Sequence, residues 1–217
     1  MYFKDRTEAG EKLSKQLAKY KGDNCTLVAL SDGAVVLAAQ VAKKLECPIT
    51  MLLAQPINAP GESIEVASIN QEGGYSQNSY YTKGEQEEFD MEYHGIFEQE
   101  KMDKLSEMHR QLGKNVLIKK SLLKGRTVIL ISDGMGSSAT IDSAAIFLKS
   151  IKVKKLVIAA PFAAINVVDK MHLMADEIVC LNTIDNFMGV DHYYDNNNIP
   201  PHETVVSTIQ YMLKNWI

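Results

Sequence analysis

Thr127-Val128-Ile129-Leu130-Ile131-Ser132-Asp133-Gly134-Met135-Gly136-Ser137-Ser138-Ala139-Thr140 is the stretch that decides how this chain folds. Its first five residues are β-branched or aliphatic without interruption, and Gly125 precedes them. A strand that is apolar on both faces needs cover on both faces, so the run predicts an inner strand of a parallel sheet. The polar, glycine-containing residues after it lead into Ala139–Ile151, which has helical spacing. Strand, loop and helix in that order open a β-α-β unit.

The same alternation continues to both sides. Upstream, Asp5–Tyr20 carries Ala9, Leu13 and Leu17 on one helical face, Cys25–Leu30 is an apolar run of strand length, Ala34–Leu45 is a small-residue helix closed by Cys47-Pro48, and Ile49–Leu53 is strand-like. Downstream, Leu156–Ala160 predicts a strand ending at Pro161, Ala163–Met174 a helix, Ile178–Leu181 a last strand and Glu203–Trp216 an amphipathic helix. Between the halves, Ile64–Ile69 reads as a strand, and Glu98–Leu112 as a helix with Leu105, Met108 and Leu112 on one face. Asn70–Lys83 has no period and is rich in Gly, Ser, Asn, Gln and Tyr, which fits a long loop or hairpin tip. A mobile lid and a disordered surface excursion both remain open for it. The expected fold is α/β, with a mostly parallel sheet, helices on both faces, and one domain over 1–217 with 70–95 as a mobile loop or flap.

Composition narrows the function classes. With 217 residues, 46% apolar and 23% charged, the chain has ordinary globular composition. A net charge of −4 supplies no general positive field, so nucleic acid is not expected as a partner. Cys25, Cys47 and Cys180 are odd in number and far apart in sequence, which suggests neither a disulfide framework nor a zinc cage and fits a reducing cytoplasm. The amino terminus lacks an apolar core of signal-peptide length, and the longest apolar stretch, Leu156–Ile165, is too short to span a bilayer, so no membrane association is expected. G-x-G-x-x-G, G-x-x-x-x-G-K-[ST], G-x-S-x-G and H-E-x-x-H do not occur, which removes the support for dinucleotide, NTPase, serine-hydrolase and zinc-protease readings.

Ligands of parallel α/β sheets bind beyond the carboxyl ends of the strands. That singles out Ser31–Ala34, Ala54–Gly61, Ser132–Thr140 and Thr183–Tyr194. The third loop has the chemistry of an anion cradle: Gly134 and Gly136 allow close backbone approach, the first helical N–H groups lack internal partners, and Ser137, Ser138 and Thr140 add hydroxyls around Ala139. The alternative is that Ser137 or Ser138 only caps the helix. In the fourth loop, Phe187, Tyr193 and Tyr194 could stack on a flat ligand or simply close the sheet edge. His192 beside Asp191 is a weak candidate for a base or metal ligand, and the other four histidines show no ligand spacing.

Phe3-x-Asp5-Arg6-x-x-Ala9-Gly10-x-x-Leu13, Lys124–Gly134, Pro60-Gly61, Ala175–Leu181 and Phe187-x-x-Val190 together resemble the type I phosphoribosyltransferases, in particular the bacterial group usually named only as predicted phosphoribosyltransferases. The resemblance implies displacement of pyrophosphate from a ribose 5-phosphate donor, phosphoribosyl pyrophosphate, by a nucleophilic acceptor, with Mg²⁺ as cofactor. It implies Asp133 as the catalytic, ribose- and metal-binding carboxylate, Gly134, Gly136, Ser137, Ser138, Ala139 and Thr140 around the 5-phosphate, Ser31, Asp32 and Gly33 as the pyrophosphate loop, Phe187 and Val190 on the acceptor side, and 183–202 as a hood. A homodimer is usual among such proteins.

The chain departs from that pattern at several points. Ser132 stands where the group has the first of two adjacent acids, and Ser138 where it has a glycine. Ser31-Asp32-Gly33-Ala34 replaces a loop with an arginine, and Gln55–Gly61 lacks a further arginine and lysine. Two unit charges about 4 Å apart interact by roughly 4 kcal/mol at an effective dielectric near 20, so one reversed sign puts about three orders of magnitude of pyrophosphate affinity at stake. The expected function is phosphoribosyl transfer to an unknown acceptor, weakened or lost. The alternative is a non-catalytic protein that binds a phosphate or nucleotide in the same pocket.

Overall fold

A computed structural model describes residues 2–61, 65–78, 80–112 and 118–216. Its main sheet has five parallel strands in the order β2-β1-β6-β7-β8, formed by β1 (Cys25–Ala29), β2 (Ile49–Met51), β6 (Thr127–Ile131), β7 (Lys155–Ala164) and β8 (Glu177–Ile184). Among the described residues six α-helices accompany it: α1 (Arg6–Gln16), α2 (Asp32–Leu45), α3 (Lys83–Leu112), α4 (Ala139–Lys149), α5 (Ile165–Met174) and α6 (His202–Trp216). The decisive run forms β6, which lies between β1 and β7 and is buried along its whole length.

The two-sided burial of β1 and β6 follows from their sequence. Leu27, Ala29, Ile129 and Ile131 enter one core with α1, α2 and α6, while Val28, Leu30, Val128 and Leu130 enter the other with α4 and α5. Alternate residues of a strand point to opposite faces, so an unbroken apolar run serves both layers. On the first face α1 crosses α2 closely, since a Cβ on Gly10 would lie 2.5 Å from the carbonyl oxygen of Leu37.

A second sheet, antiparallel and in the order β3-β4-β5, joins Ala54–Ile57, Ala67–Asn70 and Tyr75–Gln77. It packs on α4 through Asn70, whose side-chain amide donates to the Ser143 carbonyl at 2.6 Å. The strand expected over Ile64–Ile69 thus appears as β4, with Ile64 itself outside the described residues. The aperiodic stretch 70–83 contains β5.

Three differences from the sequence expectation have physical reasons. β3 falls where a loop was expected, because Gln55 and Pro56 mask its signal; among the described residues it pairs only with β4, and an edge strand tolerates a residue without a donor. β7 runs through Pro161, not ending there, because its pairing with β6 stops at Ile131↔Ala159, ahead of the proline, while pairing with β8 continues to Ala164↔Ile184. The helix expected from Glu98 begins at Lys83, with a non-helical residue, Tyr93, inside it. Thr82 and Glu85 form a reciprocal capping box at its start: Thr82 N–H donates to the Glu85 carboxylate at 2.7 Å, and Glu85 N–H donates to the Thr82 hydroxyl at 3.4 Å. Phe89, Tyr93 and Phe97 make tilted ring contacts four residues apart along it. Among the described residues no helix is long and apolar enough to cross a membrane.

Candidate active site

The strand order places the site. From β1 the chain moves outward to β2, then returns to the other side of β1 for β6, so the topological switch point lies between β1 and β6. Loops leaving those two strands at their carboxyl ends diverge to opposite faces and leave a crevice. Here the strands are joined by Leu30 N–H donating to the Ile131 carbonyl at 3.0 Å, and the loops by the Ser31 hydroxyl donating to Asp133 Oδ1 at 2.8 Å.

A cleft of about 570 Å³ opens over this crevice. Ser31, Asp133, Gly134, Gly136, Ser137, Thr140, Phe187 and Val190, singled out in three separate loops, all line it. Asp32, Gly33, Ser138 and Ala139 do not. The Asp32 carboxylate turns to His202 Nδ1 at 2.9 Å, and its opposition to a ligand is correspondingly indirect. Gly33 lies behind Asp133. Ser138 donates to Asp142 Oδ2 at 3.1 Å and lines a neighbouring cleft of about 670 Å³, while Ala139 is fully buried in the first turn of α4.

The two loop glycines have a role that sequence reasoning did not find. A Cβ at Gly134 would meet the Phe162 ring at 2.4 Å, and one at Gly136 the Phe187 ring at 2.5 Å. Rings therefore crowd the loop from below, and only glycine leaves them room. Tyr193 and Tyr194 are buried against Phe162 of β7, at centroid distances of 4.8 and 5.5 Å. Phe187 alone of the three aromatics of the fourth loop lines the cleft.

Asp133 is the most constrained polar group of the site. Its Oδ2 accepts from Arg6 Nε at 2.7 Å, its Oδ1 from Ser31, and its main-chain carbonyl from the Tyr194 hydroxyl at 2.6 Å. Arg6 is 3% exposed and also donates to Asp191 at 2.8 Å and Asn197 at 3.3 Å, with its guanidinium 4.5 Å from the Tyr194 ring centroid. Burial opposes the charge on Arg6, but the Asp133 carboxylate and the hydrogen bonds outweigh it and hold its pKa above the ordinary value. One cation thus ties the β6 loop to the carboxyl-terminal segment. Asp5-Arg6 entered the sequence reading only as part of a motif; nothing in the local pattern shows that a first-turn arginine points inward.

Among the described residues lining the cleft there is no Lys or Arg. The loop offers neutral donors instead: the Thr140 hydroxyl, the Ser137 hydroxyl, which is also hydrogen-bonded to Glu65, and the first N–H groups of α4, of which that of Ala139 is already taken by Ser137 Oγ at 3.1 Å. Glu65 adds a carboxyl group at the same place. Burial pushes its pKa up, against the opposing effects of a Ser137 hydrogen bond and the charge of Lys104. A carboxylate here repels a bound phosphate, so Glu65→Gln is expected to tighten ribose 5-phosphate by about tenfold in calorimetric titration. The advantage should shrink as pH falls and Glu65 in the parent protein takes up its proton. Equal affinities at neutral pH would show that Glu65 does not face the anion.

The sequence profile of the phosphoribosyl transferase domain matches residues 4–196. A protein of Mycobacterium tuberculosis H37Rv, provisionally named a phosphoribosyl transferase, is 26% identical over 206 residues, covering 94% of this chain and 46% of its own length; its counterpart in strain CDC 1551 matches equally. The chain spans about half the length of these relatives. Among solved structures, TT1426 from Thermus thermophilus shares the fold, with a TM-score of 0.73 at 23% identity over 98% of this chain and 99% of that one. The profile match covers nearly the whole length of a chain whose switch-point cleft gathers the loops just described, and the protein belongs to the phosphoribosyl transferase domain family.

Proposed function

We propose that the protein is a phosphoribosyltransferase-like enzyme of weakened turnover, which takes ribose 5-phosphate from phosphoribosyl pyrophosphate to an acceptor whose identity is open. The 5-phosphate is assigned to the turn from Gly134 to Thr140, the pyrophosphate to the Ser31–Gly33 side, and the acceptor to the side of Phe187 and Val190. One observation carries this reading: Ser31, Ser137, Thr140, Phe187 and Val190 converge on a single cleft in a chain of this family. Binding there would act through position, by holding donor and acceptor in line and giving the phosphate fixed neutral donors.

Asp133 does not fit Mg²⁺ in this arrangement. Both its oxygens already accept short hydrogen bonds, and the described residues contain no cluster of three or more His, Cys, Asp or Glu that could hold a metal ion. No step is therefore assigned to the cation, which would have to be held by the oxygens of the donor. A homodimer and a cytoplasmic setting go with this reading.

The second reading, a non-catalytic phosphate- or nucleotide-binding protein, is favoured by two features: the sequestered Asp133 and the lack of Lys or Arg among the described cleft residues. Calorimetric titration with phosphoribosyl pyrophosphate, with and without Mg²⁺, separates the two. Magnesium-dependent micromolar binding that Thr140→Ala weakens at least about tenfold supports the transferase. Weak, magnesium-independent binding supports the second reading, and no binding rejects both.

A further inference from the structure

The two residues that open the β6 loop line the cleft, but their side chains are already engaged by other groups. The Ser132 hydroxyl donates to the Gly134 carbonyl at 2.8 Å and accepts from the Gly134 N–H at 3.3 Å, a closed local pair in a residue that is 8% exposed. Asp133, 6% exposed, has Arg6 on one oxygen and Ser31 on the other. Ser31, the nearest hydroxyl on the β1 side, donates to Asp133 and accepts from Ala34 N–H at 3.0 Å. All three polar side chains at the switch point are thus already paired with one another or with backbone.

A sugar diol lying over this crevice would have to compete for those groups. Drawing Asp133 toward it means pulling a buried carboxylate off a buried guanidinium, which offsets what two hydrogen bonds from a solvated diol would return. On its other side the Asp133 carboxylate sits tightly against Gly33, where an added Cβ would lie 2.1 Å from Oδ2. The other end of the cleft differs. Thr140 lines it beside the amino terminus of α4, next to the Ser137 hydroxyl, which accepts from Ala139 N–H and is hydrogen-bonded to Glu65, so a phosphate there competes with those two bonds and leaves the buried ion pair undisturbed.

We propose that this protein selects its ligand by a terminal phosphomonoester and is indifferent to the vicinal diol of the sugar, so that its ligand class includes deoxyribose phosphates and comparable phosphomonoesters. The inference rests on the phosphate position given under the proposed function. Asn58 and Glu65 are the polar side chains of the cleft outside the two loops.

The test is calorimetric titration with ribose 5-phosphate and 2-deoxyribose 5-phosphate on the parent protein and on Thr140→Ala. The expected result is a pair of Kd values within about twofold of each other, both weakened about tenfold or more by the substitution. A ribose ester bound about tenfold or more tightly than its deoxy counterpart overturns the inference and leaves the phosphate site standing, whichever side chain carries the preference. Saturable binding by neither ester, or binding that Thr140→Ala leaves unchanged, overturns the phosphate position and the inference with it.

Discussion

Arg6→Met is expected to lower the stability of the fold by about 3–5 kcal/mol, the usual consequence of leaving one partner of a buried ion pair alone. The substitution keeps most of the side-chain volume, so a cavity is not the main cause. What is lost is the charge beside Asp133, which is only 6% exposed, together with the bonds to Asp191 and Asn197. Urea denaturation monitored by circular dichroism measures it. Arg6→Met combined with Asp133→Asn should recover part of the loss, because removing both charges ends the unpaired burial. A single variant within about 1 kcal/mol of the parent would mean that water reaches the carboxylate, and the buried-pair account would fall.

Gly33→Ala has the second largest expected effect. Its Cβ would lie 2.1 Å from Asp133 Oδ2 and 2.6 Å from Arg6 Nε, well inside contact distance for both members of the pair. The carboxylate or the start of α2 must move, at a cost of about 2–4 kcal/mol on the scale of overpacked cores with an ion pair disturbed in addition. Gly95→Ala is the internal control. It lies within α3 where, apart from its chain neighbours and the helix's own backbone, no atom of the described residues is within 4 Å of the added Cβ, and gains up to about 1 kcal/mol from helix propensity. If Gly33→Ala proved as harmless in the same denaturation experiment, the close packing of Asp133 against α2 would be wrong.

These two residues also change the meaning of the altered β1 loop. Ser31-Asp32-Gly33-Ala34 reads, by comparison with a cation-bearing loop, as a loss of pyrophosphate contacts. In the fold, each of its first three residues has a structural partner: Ser31 caps α2 by accepting from Ala34 N–H and holds Asp133, Asp32 pairs with His202 of α6, and Gly33 makes room for the carboxylate. The sequence that lost a phosphate-binding pattern has the contacts that lock the β1 and β6 loops together.

Local pattern by itself determined the α/β class, the strand and loop containing 127–140, and the alternation that builds the parallel sheet, because apolar runs and helical periods are set by neighbours a few residues apart. It also placed Ser31, Ser137, Thr140 and Phe187 in loops after strands, where a ligand cleft forms, while Val190 was singled out by the family resemblance. Interruptions such as Pro56 and Pro161 misled it, since whether a missing N–H matters depends on which strand lies alongside. Only the tertiary structure decided which way the polar groups point. Arg6 meets Asp133 across 127 residues of sequence, Tyr194 reaches the same residue across 61, and the rings of Phe162 and Phe187 determine why positions 134 and 136 are glycine. A carboxylate's partners are chosen by burial and distance in the folded chain, and neither is written in the residues beside it.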